Sequence, residues 1–340
     1  MSLLSVEKVS VEFRTRSGVV QALEQISFQV KRGETIALVG ESGSGKSVTA
    51  FTLMGILDRA GKVTAGQALF ASEGSTTDLL SAPERVLRQL RGKDLSMIFQ
   101  NPRTALNPIR KVGKQIEDVL RAHAGLPADQ LKPRTIELLT RVRIPDPERR
   151  YSAYPYELSG GLCQRIMIAL ALACSPKLLI ADEPTTGLDV TTQATVMNLI
   201  RELSQQSQMA TILITHDLAV ASQYCDRIVV MHAGHVVEVA PTHKLFQHPS
   251  HPYTAKLIAA TPEPDKGFDA LKPILGNLPD LRSALLPPCR FSQRCEFFSA
   301  ACNQTPLPRT QIEPEHVVAC WHPLNSAPSE SPTSAVGIPG

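Results

Sequence analysis

The segment Gly40-Glu-Ser-Gly-Ser-Gly-Lys-Ser47 constrains this 340-residue chain more than any other. It matches the phosphate-cradling P-loop pattern at every fixed position. A short apolar strand, Glu34–Val39, precedes it, and a helix from Lys46 to about Leu57 is expected after it. Glycines let backbone N–H groups face inward around a polyphosphate, and the helix N-terminus adds partial positive charge at the same place. Gly40, Ser42, Gly43, Ser44, Gly45, Lys46 and Ser47 are therefore candidate nucleotide contacts. Lys46 would neutralise the β- and γ-phosphates, and the Ser47 hydroxyl would ligate Mg²⁺.

A second segment, Leu178-Leu-Ile-Ala-Asp-Glu183, ends a buried strand in two carboxylates. Burying two acids is costly unless a cation or a reaction uses them. Asp182 would hold Mg²⁺ through water, and Glu183 would orient and polarise an attacking water. A third, Leu158-Ser-Gly-Gly-Leu-Cys-Gln-Arg165, opens a helix with Ser159 as its cap. Gly160 and Gly161 leave that helix end bare for an anion. A chain with one complete P-loop hardly needs a second anion site. It makes sense if it serves the nucleotide of a neighbouring subunit.

The rest of the chain fits an α/β architecture. Strands at Leu178–Ala181 and Ala210–Ile214 alternate with helices, which predicts a mainly parallel sheet covered on both faces. Leu3–Phe13 and Val19–Val30 alternate apolar and polar residues, as in an antiparallel β subdomain, and Val112–Cys174 reads as helices. Half of the 26 prolines lie after Thr261. The expected division is a nucleotide-binding domain at 1–261, with a helical subdomain at about 101–175. An irregular Cys-rich extension at 262–324 and a disordered Ser/Pro/Ala-rich tail at 325–340 complete it.

Composition narrows the function classes. A formal net charge of +3, from 35 basic and 32 acidic residues, argues against a dedicated nucleic-acid binder. The longest apolar run, Ile166–Cys174, is far short of the roughly 20 residues needed to cross a bilayer. Charges arrive too early for a signal-peptide core, so a cytosolic location is expected. Four of the seven cysteines, Cys289, Cys295, Cys302 and Cys320, cluster near the end, with Phe291, Arg294, His316 and Trp321 among them. Clustered thiols in the cytosol read as metal ligands more readily than as disulfides. Their spacing lacks the close pair usual for zinc, while a [4Fe–4S] cluster uses four thiolates that can be more widely spread. Zinc and unliganded structural cysteines remain alternatives.

Taken in order, the P-loop, Gln100, the Leu-Ser-Gly-Gly signature, the Asp-Glu strand end and His216 resemble the nucleotide-binding subunits of ABC transporters over about residues 1–260. The resemblance implies a P-loop NTPase fold of the ABC type and further roles. Gln100 would contact Mg²⁺ and water and couple to the membrane partner, Asp189 would lie in the loop crossing the dimer interface, and His216 would contact the γ-phosphate. Phe13 is a candidate platform for adenine, with a core position as its competitor. The sequence departs from many relatives at Leu162 and Cys163, which follow the two glycines. Cys163 is read as a bystander.

The tail resembles the C-terminal extension of the oligopeptide and dipeptide importer subclass, through Cys289-Arg-Phe-x2-Arg-Cys295, Cys302 and Val317-Val-Ala-Cys-Trp321. His248-Pro-Ser-His-Pro-Tyr-Thr254 resembles that subclass too. The resemblance implies a [4Fe–4S] cluster on the four cysteines. It also implies ATP hydrolysis that powers uptake of di-/oligopeptides or related solutes. The implied partners are two transmembrane permeases, a second and non-identical ATPase subunit, and an extracytoplasmic substrate-binding protein, with this chain at the cytoplasmic face of the inner membrane. Nickel or metallophore complexes are alternative cargoes. The alternative classes are a soluble ABC ATPase acting on nucleic acid or ribosomes and an ATP-binding regulator without hydrolysis. Against the first, only 111 residues separate Ser47 from Ser159, too few for a long coiled-coil insertion.

Overall fold

The computed structural model describes residues 2–72, 74–262, 272–282 and 286–325. Long alternating segments near the start form β1 (Ser2–Thr15) and β2 (Gly18–Lys31). β3 (Thr35–Val39) follows, then β4 (Gly61–Ser72) and β5 (Ser75–Asp78). β1, β2, β4 and β5 make an antiparallel four-stranded sheet in the order β2-β1-β4-β5. This is the antiparallel subdomain expected from the sequence.

β6 (Leu95–Ile98), β7 (Leu178–Asp182), β8 (Ala210–Ile214), β9 (Arg227–His232) and β10 (His235–Pro241) build the second sheet with β3. β11 (Thr310–Glu313) and β12 (His316–Val318) complete it, in the order β11-β12-β10-β9-β3-β8-β7-β6. From β9 to β6 the pairings are parallel. Alternation along these strands divides the core in two. Ile36, Leu38, Ile180 and Ile212 face the antiparallel sheet, while Ala37, Val39, Leu179 and Leu213 face the helical layer. Burial on both faces explains why these strands read as unbroken apolar runs.

The helical region forms where expected, with its main helices at Val112–His123, Ala128–Arg141 and Gly160–Ala171. The helix after the P-loop stops at Met54, short of the expected Leu57, because Gly55 turns left-handed at φ 63° and caps it.

The extension is irregular around its cysteines, with short 3₁₀ turns at Ser292–Arg294 and Ala300–Asn303. Beyond them it folds as the hairpin β11–β12, and β12 pairs antiparallel with β10 through Glu238↔Val318. The sheet therefore continues across the boundary expected near residue 262. Asn325 donates from Nδ2 to the Pro249 carbonyl at 3.2 Å. The rest of the tail expected to be disordered, 326–340, lies outside the described residues. Among the described residues no helix is long and apolar enough to cross a membrane.

Candidate functional site

β3 delivers the chain into the P-loop, and sterics then dictate glycine. Gly40 has φ 146°, and a Cβ there would sit 2.0 Å from the Met231 carbonyl oxygen. Gly45, at φ 101°, opens the helix Lys46–Met54. Lys46 is buried and folds back onto the loop, its Nζ donating to the carbonyls of Gly40 (2.7 Å) and Glu41 (3.0 Å). Burial pulls its pKa down, against the upward pull of Glu183, Asp182 and Glu41. Ser42 and Gly43 form the exposed crest, while Ser44 is buried beneath it.

The Ser47 hydroxyl donates to Asp182 Oδ1 at 3.1 Å, across 135 residues of sequence. Asp182 is 3% exposed, and burial raises its pKa while the Ser47 bond opposes the rise. A hydroxyl and a desolvated carboxylate meeting beside the loop have the chemistry to hold a hard divalent cation.

Glu183 sits just past β7 with φ 44°, its amide donating to the Ile214 carbonyl at 2.9 Å. Its carboxylate is held from three sides. Oε2 accepts from Gln100 Nε2 at 2.8 Å and from Thr186 Oγ1 at 2.9 Å, while Oε1 lies 3.2 Å from His216 Nδ1. Burial pushes its pKa up, but the bonds from Thr186 and His216 prevail and hold it below the usual range. Gln100, Glu183 and His216, read separately from three stretches of sequence, thus form one constellation beside Lys46. Thr186 belongs to it and escaped the sequence reading. The signal for it was its position three residues after Glu183.

Ser159 caps the helix Gly160–Ala171, accepting from the Leu162 amide at 3.4 Å. A Cβ on Gly160 would meet nothing within 4 Å, so that helix end is open on one side. Ser159, Gly160 and Gly161 make no hydrogen bond to Gly40–Ser47 among the described residues. Asp189 caps the helix Val190–Ser207, accepting from the Thr192 amide at 2.9 Å and its hydroxyl at 2.7 Å. Those bonds hold the Asp189 carboxyl below its usual value. Phe13 is half-buried on β1, paired with Gly61, and packs against the core between the two sheets. Cys163 is buried, its thiol directed to the Pro155 carbonyl, and burial raises its pKa.

The four clustered cysteines, all free, line one small cavity together with His251 and Trp321. Burial drives Cys289 up to about 11 and Cys320 up to about 12, and the neighbouring thiols add to both shifts. His251 Nε2 and Trp321 Nε1 are buried without a partner. Among the described residues, no three His, Cys, Asp or Glu side chains converge on a single ion position. His316 does not belong to this cavity. It bonds Glu238 at 2.7 Å, because that fully buried carboxylate, which also accepts from the amides of Ser250 and His251, needs compensation.

The chain is similar to known proteins over most of its length. A family model described as "ABC transporter" matches residues 23–186, and one described as "Oligopeptide/dipeptide transporter, C-terminal region" matches residues 237–302. A putative peptide import ATP-binding protein of Brucella abortus is 47% identical over 300 residues, covering 88% of this chain and 89% of that protein. A dipeptide transport ATP-binding protein of Haemophilus influenzae is 45% identical over 331 residues, covering 96% and 97%. Among solved structures, a dimeric ATP-binding cassette in a post-hydrolysis state with ADP and phosphate aligns at a TM-score of 0.62 and 25% identity. It covers 70% of this chain and 98% of its own.

Proposed function

The chain belongs to the ABC transporter ATP-binding family and is an ATPase, and from that premise we propose that it powers the uptake of di- or oligopeptides through two membrane permeases. The observation that carries the catalytic part is the Glu183 carboxylate, held at once by Gln100, Thr186 and His216 beside the P-loop. The peptide class is supported by the relatives' names and by the matched C-terminal region.

In this reading the amides of Gly40–Ser47 and Lys46 bind the ATP phosphates, with Phe13 beside the adenine. Ser47, Asp182 and Gln100 would hold Mg²⁺, which neutralises charge developing on the transferred phosphoryl group. Glu183 orients the attacking water and takes up its proton, and His216 steadies both Glu183 and the γ-phosphate. Ser159, Gly160, Gly161 and Asp189 complete the ATP site of a second, similar ATPase subunit, head to tail. That explains an open helix end that makes no bond to its own P-loop. ATP closes the pair and hydrolysis opens it, a two-state switch biased by the γ-phosphate. A non-identical ATPase partner and an extracytoplasmic binding protein complete the assembly, with this chain docked at the cytoplasmic face of the inner membrane.

The division into a cassette at 1–261, with its helical subdomain at about 101–175, and an extension at 262–324 is part of this proposal. So is a [4Fe–4S] cluster on Cys289, Cys295, Cys302 and Cys320. What supports it is four free thiols lining one small cavity, the number of thiolates such a cluster uses. When bound, the cluster would cross-link the extension.

Purification of the tagged full-length chain from gently solubilised membranes of its own host tests the reading. Recovery with two permeases and a second ATPase supports it. Recovery only from the soluble fraction, with ribosomes or nucleic acid, overturns it.

A further inference from the structure

The cysteine-bearing segment does more than surround a cavity, because Arg294 reaches the P-loop and Arg290 holds the Ala233–Gly234 turn beside it. Arg294, next to Cys295, has a side chain only 6% exposed and grips the Glu41 carboxylate with both Nη atoms, at 3.0 and 3.1 Å. Glu41 is the second residue of the P-loop. Its carbonyl accepts from Lys46 Nζ, and its amide donates to the Tyr253 hydroxyl at 2.9 Å. Arg294 is itself pinned, its Nε donating to the Leu275 carbonyl at 2.9 Å. Arg290, next to Cys289, donates to the carbonyls of Ala233 and Gln21, and the adjacent Gly234 amide donates to the Ser44 carbonyl at 2.9 Å. Between the two arginines, Phe291 is buried against His232 and Tyr253.

Electrostatics give this contact a direction. Glu41 places a carboxylate beside a loop built to receive a polyphosphate. Left uncompensated, that charge opposes the anion, and the low-dielectric surroundings of a largely buried pair amplify the effect. A bidentate guanidinium both cancels the charge and fixes the side chain.

We propose that the Cys289–Cys295 segment braces the P-loop, with Arg294 as a positioning residue that neutralises Glu41 and so sets the affinity for MgATP. The proposal rests on the reading of Gly40–Ser47 as the ATP site. It does not depend on what the four thiols hold.

The test is equilibrium binding of MgATP to the full-length chain, followed by displacement of a fluorescent ATP analogue at low and at physiological salt. Arg294→Ala raises the Kd about tenfold, equivalent to about 1.4 kcal/mol, and the effect shrinks as salt screens the carboxylate that loss of the arginine uncovers. Adding Glu41→Gln to Arg294→Ala restores binding to within about threefold of wild type, because the opposing charge is gone. A packing role alone would not be rescued in this way. Arg294→Lys keeps the charge and carries the test should the alanine variant not fold, and its Kd stays within about threefold of wild type. Wild-type affinity in Arg294→Ala, a double variant as weak as the single one, or a lysine variant tenfold weaker would each overturn the brace. Failure of the wild-type chain to bind MgATP at all would overturn the ATP-site reading and the brace with it.

Discussion

Replacing Glu183 by Gln separates hydrolysis from binding. The amide is nearly isosteric with the carboxylate, and three contacts decide what it keeps. Its oxygen can go on accepting from Gln100 Nε2 and Thr186 Oγ1, while its nitrogen faces His216 Nδ1, which can accept in the appropriate tautomer. The fold therefore loses only the charge assistance of those bonds, about 1 kcal/mol. Binding should hold, because the proposed phosphate contacts come from Lys46 and the loop amides. What disappears is the group proposed to polarise water and take its proton, a contribution of about 10²–10⁴-fold in rate, or about 3–5 kcal/mol of barrier. Phosphate release under saturating MgATP measures the rate, and displacement of a fluorescent analogue measures affinity. Turnover within about tenfold of wild type would remove Glu183 from its role.

Three further outcomes follow from the same geometry. Ser159→Arg fills the open helix end of Gly160–Ala171, so ATP-driven association with the second ATPase and hydrolysis are lost. MgATP binding by the single chain is kept at a capping cost of about 1 kcal/mol, and sedimentation with and without ATP reads the difference. Burial lowers His251 from 6.5 to about 4, so the unfolded chain takes up a proton there more readily than the folded one. Stability from this residue is full above pH 6.5 and is lost as pH falls toward 4, by about 2 kcal/mol at pH 5. Urea titrations of His251→Gln should show that much less decline between pH 7 and 5, and an unchanged slope would refute the assignment. Protein purified without oxygen should carry iron and acid-labile sulfide in equal amounts, both lost in Cys302→Ser. Stoichiometric zinc without sulfide would rule the cluster out.

What the sequence disclosed was chemistry concentrated in short segments. Gly40–Ser47 and Asp182–Glu183 stand out because motifs of fixed residue type and spacing are local in sequence, and the structure brings the two segments together through Ser47 and Asp182. β3, β7 and β8 are legible because burial on both faces leaves unbroken apolar runs. The β11–β12 hairpin was not, since Thr310–Glu313 and His316–Val318 are too short to show a period and owe their strand form to the exposed edge of β10. Arg294 and Tyr253 reach Glu41 across 253 and 212 residues, and no local pattern encodes a contact of that range. His316 shows the opposite hazard. It sits among the cysteines in sequence, yet it bonds the buried carboxyl group of Glu238.

The central claim, that ATP hydrolysis by this chain drives import, is tested most directly by uptake into vesicles. The purified complex, reconstituted with MgATP on the side of this subunit and a radiolabelled dipeptide on the other, should accumulate the peptide. Accumulation should stop with a non-hydrolysable analogue and with Glu183→Gln. Hydrolysis that proceeds without accumulation of any dipeptide, oligopeptide or nickel complex offered, and that is indifferent to the permeases, would contradict the account.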